Sequence, residues 1–164
     1  MELDTKLVYL LLGSNMGDRA ALLDQAIQYI SESVGNVQAI SHVYETAPWG
    51  KTDQPGFLNV AVSVATIYTA EKVLDEVLAI ERLMGRVREE RWGSRIIDID
   101  IILYGTEILN IPGKLQVPHP EMQNRRFVLE PLKEIASSTI HPVLGKTVEE
   151  LLVDLVDNLA VWKI

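Results

Sequence analysis

The sequence predicts an α+β fold in which helices cover one antiparallel sheet. Strand-like and helix-like hydrophobic periodicity alternate from the N-terminus to about residue 104, in the order strand, helix, strand, strand, helix, strand. Glycine and proline mark several of the breaks between these stretches. This order is that of a ferredoxin-like βαββαβ sandwich, and the remaining residues form a C-terminal extension. A length of 164 residues suits a single domain spanning residues 1–164.

A turn separates the first predicted strand from the first helix. Lys6–Leu12 is largely apolar, as a central strand is, and Asn15 or Asp18 is the candidate cap of the helix that follows. The Gly-Ser-Asn turn beginning at Gly13 lacks the patterns of known phosphate-binding loops, so we interpret it as structural. The helix carries apolar residues at helical spacing, namely Leu22, Leu23, Ala26, Ile27 and Ile30.

A long loop divides the middle of the predicted sheet. Residues 36–45 are predicted as one strand, residues 46–56 as a loop rich in Pro and Gly, and Phe57–Val64 as a strand with clean alternation. Loops of this length in compact domains are often functional. A helix over Thr69–Met84 and a strand over Ile97–Leu103 complete the sandwich.

The C-terminal extension is predicted to be less regular. Residues 104–110 form a short hairpin, residues 117–120 are extended because of their two prolines, and a short helix over 126–135 is interrupted by Pro131. Thr147 is predicted to cap a final helix that docks on the core. Its apolar stripe consists of Val148, Leu151, Leu152, Leu155, Val156 and Leu159.

Composition narrows the possible classes of protein. A content of 48% hydrophobic and 23% charged residues is typical of a globular protein, and the lack of cysteine excludes disulfides and thiolate chemistry. The formal charge of −8 argues against nonspecific nucleic-acid binding, although a nucleotide needs only a local positive field. No signal-peptide or transmembrane pattern is visible. We therefore expect a cytoplasmic monomer without nucleic-acid or membrane partners.

Two aspartates on one predicted strand carry the main functional signal. Asp98 and Asp100 are two residues apart and so point to the same side of the strand. The other side carries Ile97, Ile99, Ile101 and Leu103. Either the aspartates form the solvated face of a half-buried sheet, or they bind a divalent cation such as Mg²⁺, which takes carboxylates together with phosphate oxygens.

Arginines are concentrated just before this strand. Five of the eight arginines lie between residues 82 and 95, and Arg125 and Arg126 form a second pair. Guanidinium groups suit phosphate recognition. Local pairing with the interleaved Glu81, Glu89 and Glu90 is the alternative, but it does not account for Trp92 within the run. The combination favours a polyphosphate held between a metal ion and arginines.

Four ordered sequence blocks resemble a known family. They are Gly13-Ser14-Asn15-x-Gly17-Asp18-Arg19, Tyr44-Glu45-Thr46 through Phe57-Leu58-Asn59, Arg86-x-Arg88-x-x-Arg91-Trp92-Gly93-x-Arg95-x-x-Asp98-x-Asp100-Ile101, and Val117-Pro118-His119-Pro120 through Asn124-Arg125-x-Phe127. They resemble the 6-hydroxymethyl-7,8-dihydropterin pyrophosphokinase family over nearly the whole chain, most weakly in the C-terminal third. Ser94 departs from the family, which usually has proline there, and this departure implies a less rigid arginine loop.

The resemblance implies an enzyme of folate biosynthesis. Such an enzyme transfers pyrophosphate from ATP to the hydroxymethyl group of 6-hydroxymethyl-7,8-dihydropterin, releases AMP and uses two Mg²⁺ ions. The residues implied in catalysis are Asp98, Asp100, Arg86 and Arg95, and the two aspartates are the implied metal ligands. The implied ATP-binding residues are Glu81, Arg88, Arg91, Ile101, His119 and Arg125. The implied pterin-binding residues are Thr46, Ala47, Trp49, Phe57, Asn59, Trp92 and Phe127, with Phe57 and Phe127 stacking on the ring.

Other interpretations are open. His119 lies between prolines and is alternatively an ordered surface histidine, and Phe127 is alternatively a core residue. A ferredoxin-like module that binds a ligand without catalysis is a second class of function. An RNA-binding sandwich of similar topology is disfavoured by the acidic charge and by the lack of an RNP-type aromatic motif.

Overall fold

The computed structural model describes residues 4–46, 56–85, 96–157 and 159–164, which form eight strands and four α-helices. Their order and bounds are β1 Lys6–Ser14, α1 Arg19–Ser33, β2 Asn36–Ile40, β3 Tyr44–Thr46, β4 Phe57–Thr66, α2 Ala70–Leu83, β5 Asp98–Tyr104, β6 Leu109–Ile111, β7 Leu115–Val117, α3 Arg126–Ala136, α4 Val148–Val153 and β8 Val161–Lys163.

The main sheet has the strand order β5-β1-β4-β3-β8, with β2 also paired to β4, and its paired strands are antiparallel. If β2 and β3 are taken as one interrupted strand, the order of the first four strands is that of the ferredoxin-like βαββαβ sandwich. The predicted fold class is therefore confirmed. Strands β6 and β7 form a separate hairpin.

Hydrophobic clusters cover both faces of the main sheet. On one face, α1 and α2 pack against alternate residues of β1 and β4 such as Leu10 and Val62. On the other face, α3 and α4 pack against Leu11 and Ala61. The C-terminal extension thus forms a third layer, and the side of the sheet opposite α1 and α2 is where Asp98 and Asp100 lie.

Side-chain caps fix the starts of three helices. Asp18, rather than Asn15, caps α1 by accepting a hydrogen bond from the backbone N–H of Ala21 at 3.2 Å. Thr69 caps α2. Thr147 and Glu150 form a capping box at α4, so the predicted cap at Thr147 is confirmed.

The prediction of one strand over residues 36–45 was wrong. Strand β2 pairs Ile40 with Val62, whereas β3 pairs Tyr44 with Asn59, so three residues face two on β4. The extra residue breaks the ladder as a bulge does. Ser41 bridges the break, because its hydroxyl accepts a hydrogen bond from the backbone N–H of Ala61 at 2.9 Å.

A second irregularity changes the predicted face of Leu103. Strand β5 pairs Leu103 with Tyr9 and Ile101 with Leu10, so Ile102 is an extra residue. Leu103 consequently packs on the α3 and α4 side, not with Ile99 and Ile101 as predicted. The predicted hairpin at 104–110 was also misplaced, since the observed hairpin is formed by β6 and β7 over residues 109–117.

The last two helices also differ from their predictions. Helix α3 continues through Pro131, which is buried in the core. Because proline has no N–H, only the carbonyl of Phe127 loses its helical hydrogen bond. Helix α4 ends at Val153, and Val156 beyond it is 88% exposed, so the predicted stripe docks on the core only as far as Leu155. The chain after α4 instead turns back to form β8 beside β3.

In the part of the chain that the structure describes, none of the helices combines the length and the apolar character needed to span a membrane.

Candidate active site

A cavity of about 640 Å³ opens on the side of the sheet that faces α3. It brings together several residues predicted to act in catalysis or binding, namely Thr46, Phe57, Asn59, Asp98, Asp100, Arg125 and Phe127. These residues come from β3, β4, β5 and the start of α3, which are distant in the sequence. The sheet register explains how they meet.

Directly paired residues of neighbouring strands share a face of the sheet and lie roughly 5 Å apart. Asp98 on β5 pairs with Gly13 on β1, and Gly13 pairs in turn with Asn59 on β4. Asp100 is two residues from Asp98 and pairs with Leu11. Both carboxylates therefore lie on the cavity face, with Asp98 partly exposed and Asp100 exposed. This placement agrees with the predicted shared face.

A second cavity of about 320 Å³ adjoins the first at Asp100. Asp100 lines both cavities. The second cavity is also lined by the predicted ATP-binding residues Ile101 and His119 and by residues of the β6–β7 hairpin, including Lys114. The acidic strand therefore lies where the two cavities meet.

Aromatic side chains enter the first cavity from two elements. Phe57 begins β4 and Phe127 lies in the first turn of α3, and both are partly exposed. The guanidinium of Arg125 lies 5.7 Å from the centre of the Phe127 ring, within the range of a cation–π interaction. Phe127 also packs against the second hydrophobic cluster, so it is a core-edge residue with one side in the cavity.

Buried polar atoms at this cavity lack hydrogen-bond partners among the described residues. These atoms are Asn59 Oδ1 and Thr46 Oγ1, and both residues are about 95% buried. The Asn59 amide Nδ2 makes only a long bond of 3.4 Å to the carbonyl of Leu12. A buried polar atom without a partner costs free energy, which a ligand with matching donors relieves.

Strand β3 is fixed against α3, so the two walls of the first cavity are held together. The carboxylate of Glu134 accepts hydrogen bonds from the backbone N–H of His42, at 2.8 Å, and from the Tyr44 hydroxyl. Burial, followed by the hydroxyl's own hydrogen bond to Glu134 and the negative charge of that carboxylate, raises the pKa of Tyr44, so Tyr44 is a neutral donor near pH 7. Thr46, two residues along β3, is positioned by the same attachment.

His119 presents a defined tautomer to the second cavity. Its Nδ1 accepts a hydrogen bond from the backbone N–H of Glu121 at 3.1 Å, so the proton of the neutral ring is on Nε2. Partial burial, together with the nearby Arg125, lowers the pKa of His119 more than Asp100 and Glu121 raise it. The neutral ring can donate one hydrogen bond to an anionic oxygen. His119 is partly buried and lines the second cavity with Asp100, and its predicted contact with ATP stays a prediction.

Glu81 has a structural contact that sequence reasoning missed. The residue is buried, and its carboxylate accepts a hydrogen bond from the backbone N–H of Ile99 at 2.8 Å. Ile99 lies between Asp98 and Asp100, so Glu81 fixes the backbone that carries both carboxylates. The described lining of the two cavities does not include Glu81, and its predicted contact with ATP stays a prediction.

Several predicted residues lie outside the described residues. These are Ala47, Trp49, Arg86, Arg88, Arg91, Trp92 and Arg95. Conversely, the cavities are lined by residues that the sequence did not single out for the site. These include Leu11, Gly13, Asn124, Asp157 and Leu159 in the first and Asn110, Lys114 and Gln116 in the second. Of these, Gly13 and Asn124 had a usable signal, since each belongs to one of the four ordered sequence blocks, and Asp157 and Leu159 had none.

The fold is a ferredoxin-like α+β sandwich, and strand β5 places Asp100 in the lining of two adjoining cavities, as a ligand-binding protein of this fold class requires. The chain belongs to the 7,8-dihydro-6-hydroxymethylpterin-pyrophosphokinase family, whose model matches residues 9–137.

Individual relatives agree with this family. The chain is 46% identical over 149 residues to the 2-amino-4-hydroxy-6-hydroxymethyldihydropteridine pyrophosphokinase of Methylorubrum extorquens, covering 90% of this chain and 92% of the relative. It is 39% identical over 151 residues to the protein of the same name from Haemophilus influenzae, covering 92% and 93%. Among solved structures, a Plasmodium falciparum HPPK-DHPS triple mutant superposes with a TM-score of 0.75 at 19% identity, covering 93% of this chain. The chain spans 44% of that longer protein, and the likeness concerns the fold alone.

Proposed function

We propose that this protein transfers pyrophosphate from ATP to the hydroxymethyl group of 6-hydroxymethyl-7,8-dihydropterin, releasing AMP, as a step of folate biosynthesis. Membership of the family supports this reaction. The observation that carries the proposal is the pair of cavities that meet at Asp100. A transfer between two bound substrates needs adjoining sites that hold the reacting atoms close together, and a carboxylate at their junction can hold a cation beside the phosphates.

The first cavity suits a pterin. Phe57 and Phe127 provide aromatic faces for a flat heterocycle, and ring stacking contributes about 0.5–1.5 kcal/mol beyond the burial of area. The partnerless Asn59 Oδ1 and Thr46 Oγ1 can bind the polar edge of the ring. A site built to bind such groups discriminates strongly against analogues that lack them.

The second cavity suits the nucleotide. His119 supplies an N–H donor and Ile101 an apolar contact. Lys114 supplies a positive charge, and its ammonium also pairs with Glu71 at 2.6 Å. The proposed arginine contacts, from Arg86, Arg88, Arg91 and Arg95, come from the sequence alone. Together with Arg125, these cations provide the local positive field that an acidic protein needs in order to bind a triphosphate.

Asp98 and Asp100 fit Mg²⁺. Among the described residues, no group of three or more His, Asp and Glu side chains forms a closed metal site. Two carboxylates on one strand face suit Mg²⁺, which usually keeps water and phosphate oxygens among its ligands. We propose that both aspartates hold two Mg²⁺ ions together with the phosphates. When bound, Mg²⁺ neutralises phosphate charge and aligns the groups of an in-line displacement.

In the proposed reaction, the alcohol oxygen of the pterin forms a bond to the β-phosphorus of ATP. The bond from that phosphorus to the oxygen bridging the α- and β-phosphates breaks, AMP leaves with the bridging oxygen, and the proton of the alcohol is released to water. The aromatic walls orient the pterin, and His119 and the arginines orient and neutralise the phosphates. Positioning and electrostatic stabilisation therefore supply most of the acceleration.

The identity of the nucleotide product tests the proposal. ATP, Mg²⁺ and the pterin alcohol are incubated with the protein, and we expect AMP to accumulate only when the pterin is present. ADP as the product, or no product, would contradict the proposed reaction. Asp98→Ala and Asp100→Ala should each lower the rate at least about 100-fold, which exceeds the loss of rate caused by removing a group that only orients a metal ligand. Asp24→Ala is the matched control, because Asp24 is an exposed carboxylate on α1.

We also propose that the protein acts as a monomer, because a single chain supplies the lining of both cavities. Analytical ultracentrifugation at assay concentration checks this, and a dimer mass would contradict it.

A further inference from the structure

We propose that the C-terminal segment of this chain is part of the pterin site, with Asp157 as a positioning residue for Phe127. This inference rests on the proposed function, since it concerns the cavity assigned to the pterin. Asp157 and Leu159 line that cavity, although both lie beyond residue 137, where the match to the family model ends.

Helix α3 begins without a cap of its own. Its N-cap residue is Arg125, whose side chain makes no capping hydrogen bond. The Asp157 carboxylate instead accepts a hydrogen bond at 3.1 Å from the backbone N–H of Arg126, the first residue of α3. A side chain at the N-cap position ordinarily satisfies these first N–H groups. Here Asp157 of the C-terminal segment supplies the acceptor oxygen that the side chain of Arg125 does not provide.

Asp157 holds Arg126 through its main chain as well. The backbone carbonyl of Asp157 accepts hydrogen bonds from Nε and Nη2 of Arg126, both at 3.4 Å. The second carboxylate oxygen accepts a hydrogen bond from the backbone N–H of Leu159 at 3.0 Å, which fixes the carboxylate itself. Because Phe127 follows Arg126 directly, these contacts determine where the Phe127 ring enters the cavity.

Strand β8 attaches the end of the chain to the opposite wall of the cavity. It pairs with β3, and Val161 lies opposite Thr46, which lines the cavity. The C-terminal residues thus connect the wall formed by α3 with the wall formed by β3. A change at Asp157 should consequently affect ligand binding in the first cavity more than in the second, because the described lining of the second cavity includes no residue of α3.

The test compares Asp157→Ala and Asp157→Asn with Asp154→Ala. Asp154 is a matched control, because it is a half-exposed carboxylate of the same segment that pairs with Lys146 at 2.7 Å. The Kd of the pterin alcohol is measured by its fluorescence, and the Kd of a non-hydrolysable ATP analogue with Mg²⁺ is measured by calorimetry. Thermal unfolding of each variant is recorded alongside.

We expect Asp157→Ala to raise the pterin Kd about five- to tenfold, within the range of a lost helix cap, and to leave the Kd of the ATP analogue within about twofold. Asp157→Asn keeps one of the two acceptor oxygens and should raise the pterin Kd less than Asp157→Ala does, by about threefold at most. Asp154→Ala should have the pterin Kd of the wild type. Should Asp157→Ala not fold, Leu159→Ala, which removes only apolar lining, should still raise the pterin Kd about threefold or more.

Two results would overturn the inference. One is unchanged pterin affinity in Asp157→Ala or, where that variant does not fold, in Leu159→Ala. The other is a parallel loss of pterin and nucleotide affinity with a lower unfolding temperature, which would show a general structural role. A wild-type protein that binds no pterin would instead refute the proposed function, and this inference with it.

Discussion

At the scale of single residues, the shape of the first cavity, which is the proposed pterin site, depends on a glycine. Gly13 lies between Asp98 and Asn59 in the cross-strand row. A Cβ at Gly13 would lie 2.7 Å from Nδ2 of Asn59, closer than real Cβ atoms approach, so the amide would have to move. The absence of a side chain here lets Asn59 lie across β1 and face the cavity.

Gly13→Ala is therefore expected to weaken pterin binding by displacing Asn59. The loss of one well-placed hydrogen bond corresponds to roughly 1 kcal/mol, or about a fivefold rise in Kd. Fluorescence titration with the pterin measures this rise. Ser14→Ala is the control, since Ser14 is the next residue of β1 and its hydroxyl has no partner among the described residues. Equal pterin affinity in the two variants would show that the Asn59 amide does not bind the ring.

At the scale of elements, Arg19 at the start of α1 connects the residues on both sides of the segment 47–55. Its Nη1 donates hydrogen bonds to the Glu45 carboxylate at 2.8 Å and to the Gly56 carbonyl at 2.7 Å. Gly56 lies so close to β3 that a Cβ there would lie 2.2 Å from the carbonyl oxygen of Thr46. Arg19 thus supports the pairing of Thr46 with Phe57, which are direct cross-strand neighbours on the wall of the first cavity.

Arg19→Met should lower the affinity for the pterin about three- to tenfold. The change removes the hydrogen bonds of the partly buried guanidinium to the Glu45 carboxylate and to the Gly56 carbonyl, and it keeps the apolar stem of the side chain. The Kd of the ATP analogue should not change. Lys72→Met removes an exposed ion pair with Glu76 on α2 and is the control. A pterin Kd that is the same in both variants would contradict this role of Arg19.

Elements with strong periodicity could be predicted from the sequence, and irregular contacts could not. Strands β1, β4 and β5 and helices α1 and α2 follow their hydrophobic patterns, and the shared face of Asp98 and Asp100 follows from a spacing of two. The break at Ser41 and the bulge at Ile102 depend on register between strands, which a single sequence does not encode locally. Strand β8 and the cap by Asp157 were missed for the same reason, since their partners are more than 30 residues away or on another element.

At the scale of the whole molecule, the stability of the fold and the proposed metal site are separate. The two hydrophobic clusters cover both faces of the sheet, whereas Asp98 and Asp100 lie at a cavity surface. Removal of Mg²⁺ with EDTA should abolish formation of AMP and leave the unfolding temperature within about 2 °C, since the apo fold retains its core. Excess Mg²⁺ should restore activity. A large drop in unfolding temperature would indicate a structural metal instead.

The pH dependence of stability should depend on a histidine, His141, that does not belong to the described lining of either cavity. His141 is buried, and its Nδ1 accepts hydrogen bonds from the backbone N–H groups of Val143 and Leu144, at 3.2 Å and 3.1 Å. Burial lowers the pKa of His141, so the unfolded chain, in which a histidine has a pKa of about 6.5, binds this proton more readily than the folded protein. The free energy of unfolding should therefore be at its full value above about pH 6.5 and fall as the pH drops below that value.

His141→Asn isolates this contribution, because its Oδ1 can accept the same hydrogen bonds and does not titrate. Urea unfolding at pH 7.5 and pH 5.5 should show a smaller loss of free energy for His141→Asn than for the wild type. Part of the loss should persist in the variant, since burial also lowers the pKa of His119. The carboxyl groups with lowered pKa, Glu134 and Glu150, titrate below this window. Equal losses in the two proteins would mean that the turn at His141 releases its two N–H groups without cost to the fold.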